Sequence, residues 1–178
     1  MTTYLAFLRG INVSGQKMIK MEDLRSALGH LDFKNVQTYI QTGNIVFESD
    51  QSDAKLIEEK IRKVISDKFQ FDVPVVVRSR QEIEDIISKN PFAKKHPESQ
   101  KGYYFTLLSE FPAQENKEKL NTYQFNNEEY MLLDKTVYFF TASGYGKVKM
   151  NNNFFEKILK VEATTRNFNT ITKMIKLT

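Results

Sequence analysis

The order of strand-like and helix-like segments in the first 79 residues restricts the fold more than any other feature of the sequence. Apolar residues recur at helical spacing in two segments, KMEDLRSALGHL and SDAKLIEEKIRKVISDKF. The other segments have strand or turn patterns, and in chain order they are TYLAFLRG, NVQTYIQ, TGN, IVFES and FDVPVVVRS. Strand, helix, strand, strand, helix, strand is the ferredoxin-like arrangement, for which right-handed crossovers give the sheet order 4-1-3-2.

The second half of the chain repeats this pattern incompletely. A connecting helix and a polar loop lead to a predicted strand, a helix, a hairpin turning at Asp134-Lys135 and a further helix. The segment TTRNFNTITKMIKL predicts a closing helix, which leaves the expected final strand missing. The sequence therefore predicts an α+β protein with two ferredoxin-like (βαββαβ-type) halves, the second degenerate and ending in a helix. Residues 1–79 form the first half, and residues 80–178, with the C-terminal helices, form the second.

Composition restricts the class of protein and its location. The 178 residues are 40% hydrophobic and 27% charged, which is ordinary for a soluble globular protein. No apolar run reaches the roughly 20 residues that span a bilayer, and the N-terminus lacks the features of a secretory signal. We therefore predict a cytoplasmic protein with no membrane partner. The absence of cysteine excludes disulfides, thiol nucleophiles and cysteine-ligated metals.

Patterns for metal binding and acid/base catalysis are missing from the sequence. The two histidines, His30 and His96, are far apart, and no HExxH or EF-hand pattern occurs, so we predict neither a metal nor a cofactor. Three groups of neighbouring acidic residues are interpreted as solvated surface, and they are Glu58/Glu59, Glu82/Glu84/Asp85 and Glu128/Glu129.

Four polar residues gather at one edge of the predicted first sheet. Arg9 and Asn12 follow the first strand in the stretch FLRGINVSGQK, and Gln41 and Asn44 flank the turn between strands 2 and 3. The stretch fails the GxGxxG and P-loop spacings, so taken alone it is a tight turn. Because strands 1 and 3 are neighbours in this topology, the four side chains should lie together. An arginine, side-chain amides and loop N–H groups suit a carboxylate or a phosphate.

Two further polar clusters lie near the C-terminus, where seven Lys and Arg residues after residue 143 outnumber two Glu. Lys147 and Lys149 follow two glycines in SGYGKVKMNNN, before a predicted helix. This arrangement suits an anion, although a flexible loop with solvated lysines explains it too. Arg166, Asn167 and Asn169 lie in TTRNFNT, where helix capping by a threonine leaves these three residues unexplained.

Five motifs occur in a fixed order along nearly the whole chain, and they are RGIN, YIQTGNIVF, FDVPVVVR, NPF and TTRNFNT. Together they resemble the bacterial family called domain of unknown function 1697. The resemblance implies a two-part α+β fold with ferredoxin-like halves, and it implies no activity, substrate, cofactor or catalytic residue. Ser14, Thr42 and Phe168 stand where the family usually has glycine, serine and tryptophan. Ser14 makes the first loop less suited to a phosphate, and Phe168 removes an indole N–H donor.

Three functions remain open. We favour binding of a small anionic or nucleotide-like ligand by the four N-terminal residues, joined by Lys147, Lys149 and Arg166 if the C-terminal cluster folds onto the same edge. Nucleic-acid binding is a weaker alternative, because base stacking needs exposed aromatics on the strands and a net charge of +4 is only permissive. The third is a metal-free enzyme that works by electrostatic stabilisation, although no nucleophile or general base stands out. The oligomeric state stays open.

Overall fold

A computed structural model describes all 178 residues of the chain. The eight strands are β1 (Thr2–Leu8), β2 (Lys34–Tyr39), β3 (Asn44–Ser49), β4 (Val75–Ser79), β5 (Tyr103–Leu108), β6 (Glu128–Leu133), β7 (Thr136–Thr141) and β8 (Ala163–Asn167). The seven α-helices are α1 (Met21–Leu28), α2 (Ala54–Phe69), α3 (Arg80–Ser88), α4 (Phe92–Lys95), α5 (Gln114–Leu120), α6 (Asn152–Leu159) and α7 (Phe168–Ile175). Short 3-10 turns lie at Gln100–Gly102 and Tyr145–Lys147. None of the helices has the length and apolar character needed to cross a bilayer.

The chain forms two compact units. One unit contains Met1–Asp85 together with the last six residues, Lys173–Thr178, and the other contains Ile86–Thr172. The carbonyl of Leu177 accepts a hydrogen bond from the side-chain amide of Gln37 on β2, at 3.2 Å, within the first unit. The domain boundary that the sequence suggests after residue 79 stays a prediction.

The first unit is built on one antiparallel sheet. Its strands lie in the order β2-β3-β1-β4, which is the order 4-1-3-2 that the sequence predicts. The core contains alternate residues of β1 and the apolar stripes of α1 and α2, among them Leu24, Leu28, Ile57, Ile61 and Ile65. The sequence pattern also places Leu56 in the stripe of α2, but its side chain is 43% exposed. Leu5 and Phe7, which alternate with these residues in β1, are fully buried as well, as expected for a strand covered on both faces.

Gly43 fixes the connection between β2 and β3 against the end of β1. Its backbone has a φ of +80°, and a Cβ at this position would lie 2.6 Å from the Leu8 Cβ and 2.8 Å from the Ile11 Cδ1. The N–H of Leu8 also donates a 2.8 Å hydrogen bond to the Gly43 carbonyl. Both the left-handed backbone and the missing side chain are therefore needed for the two segments to approach.

The second unit has the same element order, and here the sequence-based prediction of a missing final strand is wrong. The segment Ala163–Asn167 forms β8, and the sheet order is β6-β7-β5-β8. The hydroxyls of Thr165 and Thr106 on β5 lie 2.7 Å apart in a cross-strand pair, and β-branched residues favour strands. The helix begins only at Phe168, because the Asn167 Oδ1 accepts the Thr170 N–H at 2.8 Å as an N-cap. The segment is therefore a strand followed by a helix.

A glutamate from a helix binds the last strand of the sheet in both units. The Glu58 Oε1 on α2 accepts the Val77 N–H of β4 at 2.9 Å, and the Glu156 Oε1 on α6 accepts the Ala163 N–H of β8 at 3.0 Å. Because Glu58 is only 6% exposed, its interpretation as solvated surface is wrong, whereas the neighbouring Glu59 is exposed. Each carboxylate satisfies a backbone donor on an outer strand, where ladder partners are missing on one side.

Replacing Gly43 by alanine should destabilise the first unit strongly. The new Cβ would collide with Leu8 and Ile11, so we expect a loss of about 3 kcal/mol or more in the free energy of unfolding. Gly15→Ala is the matched control, since Gly15 has a similar φ of +73° but no atom within 4 Å of the added Cβ. It should lose only about 1–2 kcal/mol. Urea denaturation measures both values, and equal losses would show that the close contact at Gly43 is unimportant.

Candidate functional site

The stretch FLRGINVSGQK folds as a miniature hairpin after β1. The Gln16 N–H donates to the Val13 carbonyl at 2.9 Å, and the two residues between them, Ser14 and Gly15, have φ values of 50° and 73°. Positive φ at both central residues is the mark of the type I′ turn that joins two antiparallel strands tightly. The stretch is therefore a tight turn, and its N–H groups do not form a P-loop.

The side chain of Asn12 holds this hairpin to the rest of the sheet edge. Its Nδ2 donates to the Ile19 carbonyl at 2.8 Å and to the Gln41 carbonyl at 2.7 Å, and its Oδ1 accepts the Ile19 N–H at 2.8 Å. We call these three bonds the Asn12 node. The node brings Asn12 and Gln41 together as the topology predicts, but both N–H groups and the oxygen of the Asn12 amide bind backbone rather than a ligand.

The other predicted residues of this edge are placed differently. Asn44 is fully buried, and its Nδ2 donates to the Tyr39 carbonyl at 2.9 Å and to the Thr42 hydroxyl at 3.1 Å. Arg9 is half-buried and its N–H donates to the Pro74 carbonyl, while the side chain of Gln41 is exposed. At this edge, Asn12 and Asn44 therefore stabilise the fold, and Arg9 and Gln41 reach the surface.

The C-terminal cluster is largely explained by local structure. The Arg166 guanidinium donates to the Thr164 hydroxyl at 2.7 Å and to the Thr165 carbonyl at 2.9 Å. Asn167 is the N-cap of α7, so the expectation that capping does not account for it is wrong. Asn169 is exposed in the first turn of this helix.

The loop that contains Lys147 and Lys149 meets the edge strand β6. The Glu128 carboxylate at the start of β6 accepts the N–H groups of Lys149 and Met150, both at 2.8 Å. Lys147 and Lys149 are exposed, and the Lys149 Nζ lies 5.4 Å from the centre of the Phe125 ring. This loop is therefore anchored to the sheet, with one ammonium group held over an aromatic ring.

Phe125 lines a cavity of about 530 Å³ in the second unit, beside β6. The walls include the aromatic rings of Phe92, Tyr123 and Tyr130, the amides of Gln124 and Asn126, and the charged groups of Lys95, Glu128 and Glu129. The rings of Tyr123 and Phe125 are nearly parallel, at 27° and with centroids 6.4 Å apart. The volume lies within the range of small-molecule sites, and aromatic walls with a few polar groups are typical of them.

Glu129 is a residue of this wall that sequence reasoning missed. Its carboxylate accepts a hydrogen bond from Lys95 and lies 2.7 Å from the Nε2 of His96, and the His96 ring stacks on Phe140 at 3.8 Å and 7°. The hydrogen bond from Lys95, followed by the one from His96, lowers the pKa of Glu129 below its ordinary value of 4.5. Glu128 and Glu129 are thus half-buried and bonded to groups of the chain, so their interpretation as a solvated pair holds only in part.

Comparisons with known proteins give a family and a fold. A family model described as "Protein of unknown function (DUF1697)" matches residues 1–138, and therefore excludes the TTRNFNT motif. A solved structure described as that of conserved bacterial protein SP0830 from Streptococcus pneumoniae has a TM-score of 0.75. The two chains are 24% identical over 99% of this chain and 98% of the other, which shows a shared fold. None of the curated proteins matches the chain significantly.

The ion pair of Glu129 should make stability depend on pH in a defined direction. Because the pKa of Glu129 is lower in the folded state, its stabilising contribution is complete above pH 4.5 and is lost as the pH falls through the folded-state pKa. The difference in melting temperature between the wild type and Glu129→Gln should therefore be constant above about pH 5.5 and shrink towards pH 3. Glu110→Gln, at an exposed position, is the control and should show a small difference. A wild-type advantage over Glu129→Gln that grows in acid would contradict this assignment.

Proposed function

The chain belongs to the family of proteins of unknown function DUF1697, and for this member we propose that the cavity beside β6 binds a small anionic ligand of the nucleotide class. The observation that carries the proposal is the position of Lys149, whose ammonium lies over the Phe125 ring in the cavity wall. A ligand with a planar ring and an attached anionic group needs these two elements side by side.

The aromatic rings supply the surface for a planar group. Tyr123 and Phe125 are half-buried, so each ring keeps part of its surface accessible, and base stacking on such rings does not depend on the identity of the base. The exposed amides of Gln124 and Asn126 flank the rings and offer donors and acceptors for the edge of a heterocycle.

The two carboxylates in the cavity wall are already bonded within the chain. Glu128 and Glu129 are the two carboxylates in the wall, and each is bonded to groups of the chain itself. The charge of Glu129 is balanced by Lys95, and the carboxylate of Glu128 is stabilised by two backbone N–H groups before any ligand enters. Lys149, one of the anion-binding candidates that the sequence predicts, is not itself a wall residue, but its ammonium contacts the ring of the wall residue Phe125.

The same geometry gives less support to nucleic-acid binding by strand aromatics. Phe47 on β3 and Tyr138, Phe139 and Phe140 on β7 are between 0% and 6% exposed. Stacked readout on a sheet requires such rings at the surface. The βαββαβ order and the strand order of both units support our further inference that both are variants of the ferredoxin-like fold.

Titration with AMP, ADP and ATP by isothermal calorimetry at low salt tests the proposed site. We expect saturable binding to the wild type, weakened about tenfold by Lys149→Ala. Phe125→Leu keeps an apolar side chain of similar size but removes the ring face, and it should weaken binding about fivefold. Lys157→Ala is the matched control, since Lys157 is an exposed lysine on α6 outside the cavity wall.

Two results would contradict the proposal. One is a lack of saturable binding of all three nucleotides up to millimolar concentration. The other is binding that Lys149→Ala and Phe125→Leu leave unchanged. A loss of binding in Lys157→Ala as large as that in Lys149→Ala would also contradict it, because the effect would then reflect net charge rather than this cavity.

A further inference from the structure

Three large apolar side chains are exposed around the Asn12 node in the first unit. Val13 is 52% exposed, Met18 is 63% exposed and Ile40 is 48% exposed. Each is the chain neighbour of a residue in the node, since Val13 follows Asn12, Met18 precedes Ile19 and Ile40 precedes Gln41. Hydrogen bonds of 2.7–2.8 Å therefore fix the backbone on which these apolar groups are mounted.

The backbone conformation of Ile40 indicates that this side chain has a role other than packing in the core. Its φ is +50°, a region that β-branched residues rarely adopt because the side chain crowds the backbone. Among the non-glycine residues of this chain with positive φ, Ile40 is the only one with a β-branched side chain. Since about half of its surface is exposed, burial in the folded chain offsets only part of this strain. Strain of this kind concentrates at functional positions.

Three basic residues lie in the same two segments as the apolar residues. Residues 9–21 and 40–47 contain Arg9, Lys17 and Lys20 and no Asp or Glu. The next acidic residues along the chain are Glu22 and Asp23 in the first turn of α1 and Glu48 on β3. The Lys17 Nζ donates to the backbone carbonyl of Asp72 at 2.6 Å, and the carboxylate of Asp72 pairs with Arg62 at 2.7 Å. Taken together, the two segments that carry the exposed apolar residues are therefore basic.

We propose that this edge of the first unit, formed by the hairpin at residues 12–17 and the β2–β3 connection, binds the surface of an anionic lipid bilayer. Basic groups would contact the lipid phosphates, and Val13, Met18 and Ile40 would enter the headgroup region. A protein partner fits these observations less well, because three side chains separated by the exposed polar residues Ser14, Gln16 and Thr42 do not form a contiguous apolar patch, and stable protein interfaces bury about 800 Å² per partner.

This proposal goes beyond the nucleotide site and rests on different residues in the other unit. It also departs from the sequence-based expectation of no membrane partner, because the three apolar residues come from two separate segments and produce no apolar run. The two proposals can fail separately, since Lys149→Ala tests the cavity and leaves the hairpin intact.

Co-sedimentation of the full chain with vesicles tests the proposal. The vesicles contain either phosphatidylglycerol and phosphatidylcholine in equal parts or phosphatidylcholine alone. The wild type should bind the anionic vesicles at least about tenfold more tightly, and high salt should remove most of this difference. Met18→Ser should weaken binding about fivefold through lost apolar insertion, and Lys20→Ala about fivefold through lost charge.

Ile40→Asn separates a binding role from a structural one. Asparagine tolerates positive φ far better than isoleucine, so this variant should keep a melting temperature at or above that of the wild type while its vesicle binding falls several-fold. Phe111→Ser is the matched control, because Phe111 is 63% exposed in the second unit, and it should bind vesicles as the wild type does.

The proposal is overturned if the wild type binds both kinds of vesicle equally. It is also overturned if Met18→Ser and Ile40→Asn retain wild-type binding, or if Phe111→Ser loses as much as Met18→Ser does.

Discussion

The carboxamide of Asn12 holds together the sheet edge of the first unit where the hairpin after β1 meets the β2–β3 connection. One side chain binds the backbone of the segment leading into α1 and the backbone of the β2–β3 connection. At the same edge, Gly43 lets the β2–β3 connection approach Leu8 and Ile11 to within van der Waals distance. Asn12 itself has a φ of +53°, which asparagine adopts more readily than other residues with a Cβ. The backbone conformation and hydrogen bonds of Asn12 and the close packing at Gly43 therefore all stabilise the same edge.

In both units, residues of the same types cap the second helix and bind the backbone of the final strand. In each, the second helix of the βαββαβ unit begins at an Asp or Asn N-cap, Asp53 in α2 and Asn151 in α6. In each, a glutamate on that helix accepts an N–H of the final strand, which has a free side at the edge of the sheet. Unpaired backbone donors at an outer strand are costly when they are shielded from water. The repeated carboxylate is thus a part of the fold rather than of a catalytic site.

Local patterns predict most of the elements but not the partners of the polar side chains. The strands and helices of the first unit and the turn at Asp134 follow from periodicity and turn residues, which act over a few positions. The segment TTRN is predicted as helix but forms a strand. Its apolar neighbours Phe168 and Ile171 have helical spacing, and the cap at Asn167 sets where the helix begins.

Glu58 and Glu129 bind groups 19 and 33 residues away. No local pattern encodes such distant partners, and this is why the cavity wall was not found. For Asn12, topology predicts the right neighbour, but the bonds of its amide to the backbone of Ile19 and Gln41 have no signal in the sequence.

Asn12 holds the sheet edge together through its three hydrogen bonds to backbone. Urea denaturation of Asn12→Ala against Asn35→Ala tests it most directly, because both asparagines lie in the first unit with a φ of 53°, and Asn35 makes one exposed hydrogen bond to Glu48 at 3.0 Å. The loss of left-handed preference is therefore common to both variants. The account predicts that Asn12→Ala costs about 2–3 kcal/mol more in the free energy of unfolding than Asn35→Ala does. Equal losses in the two variants would contradict it and would return Asn12 to the candidates for ligand binding.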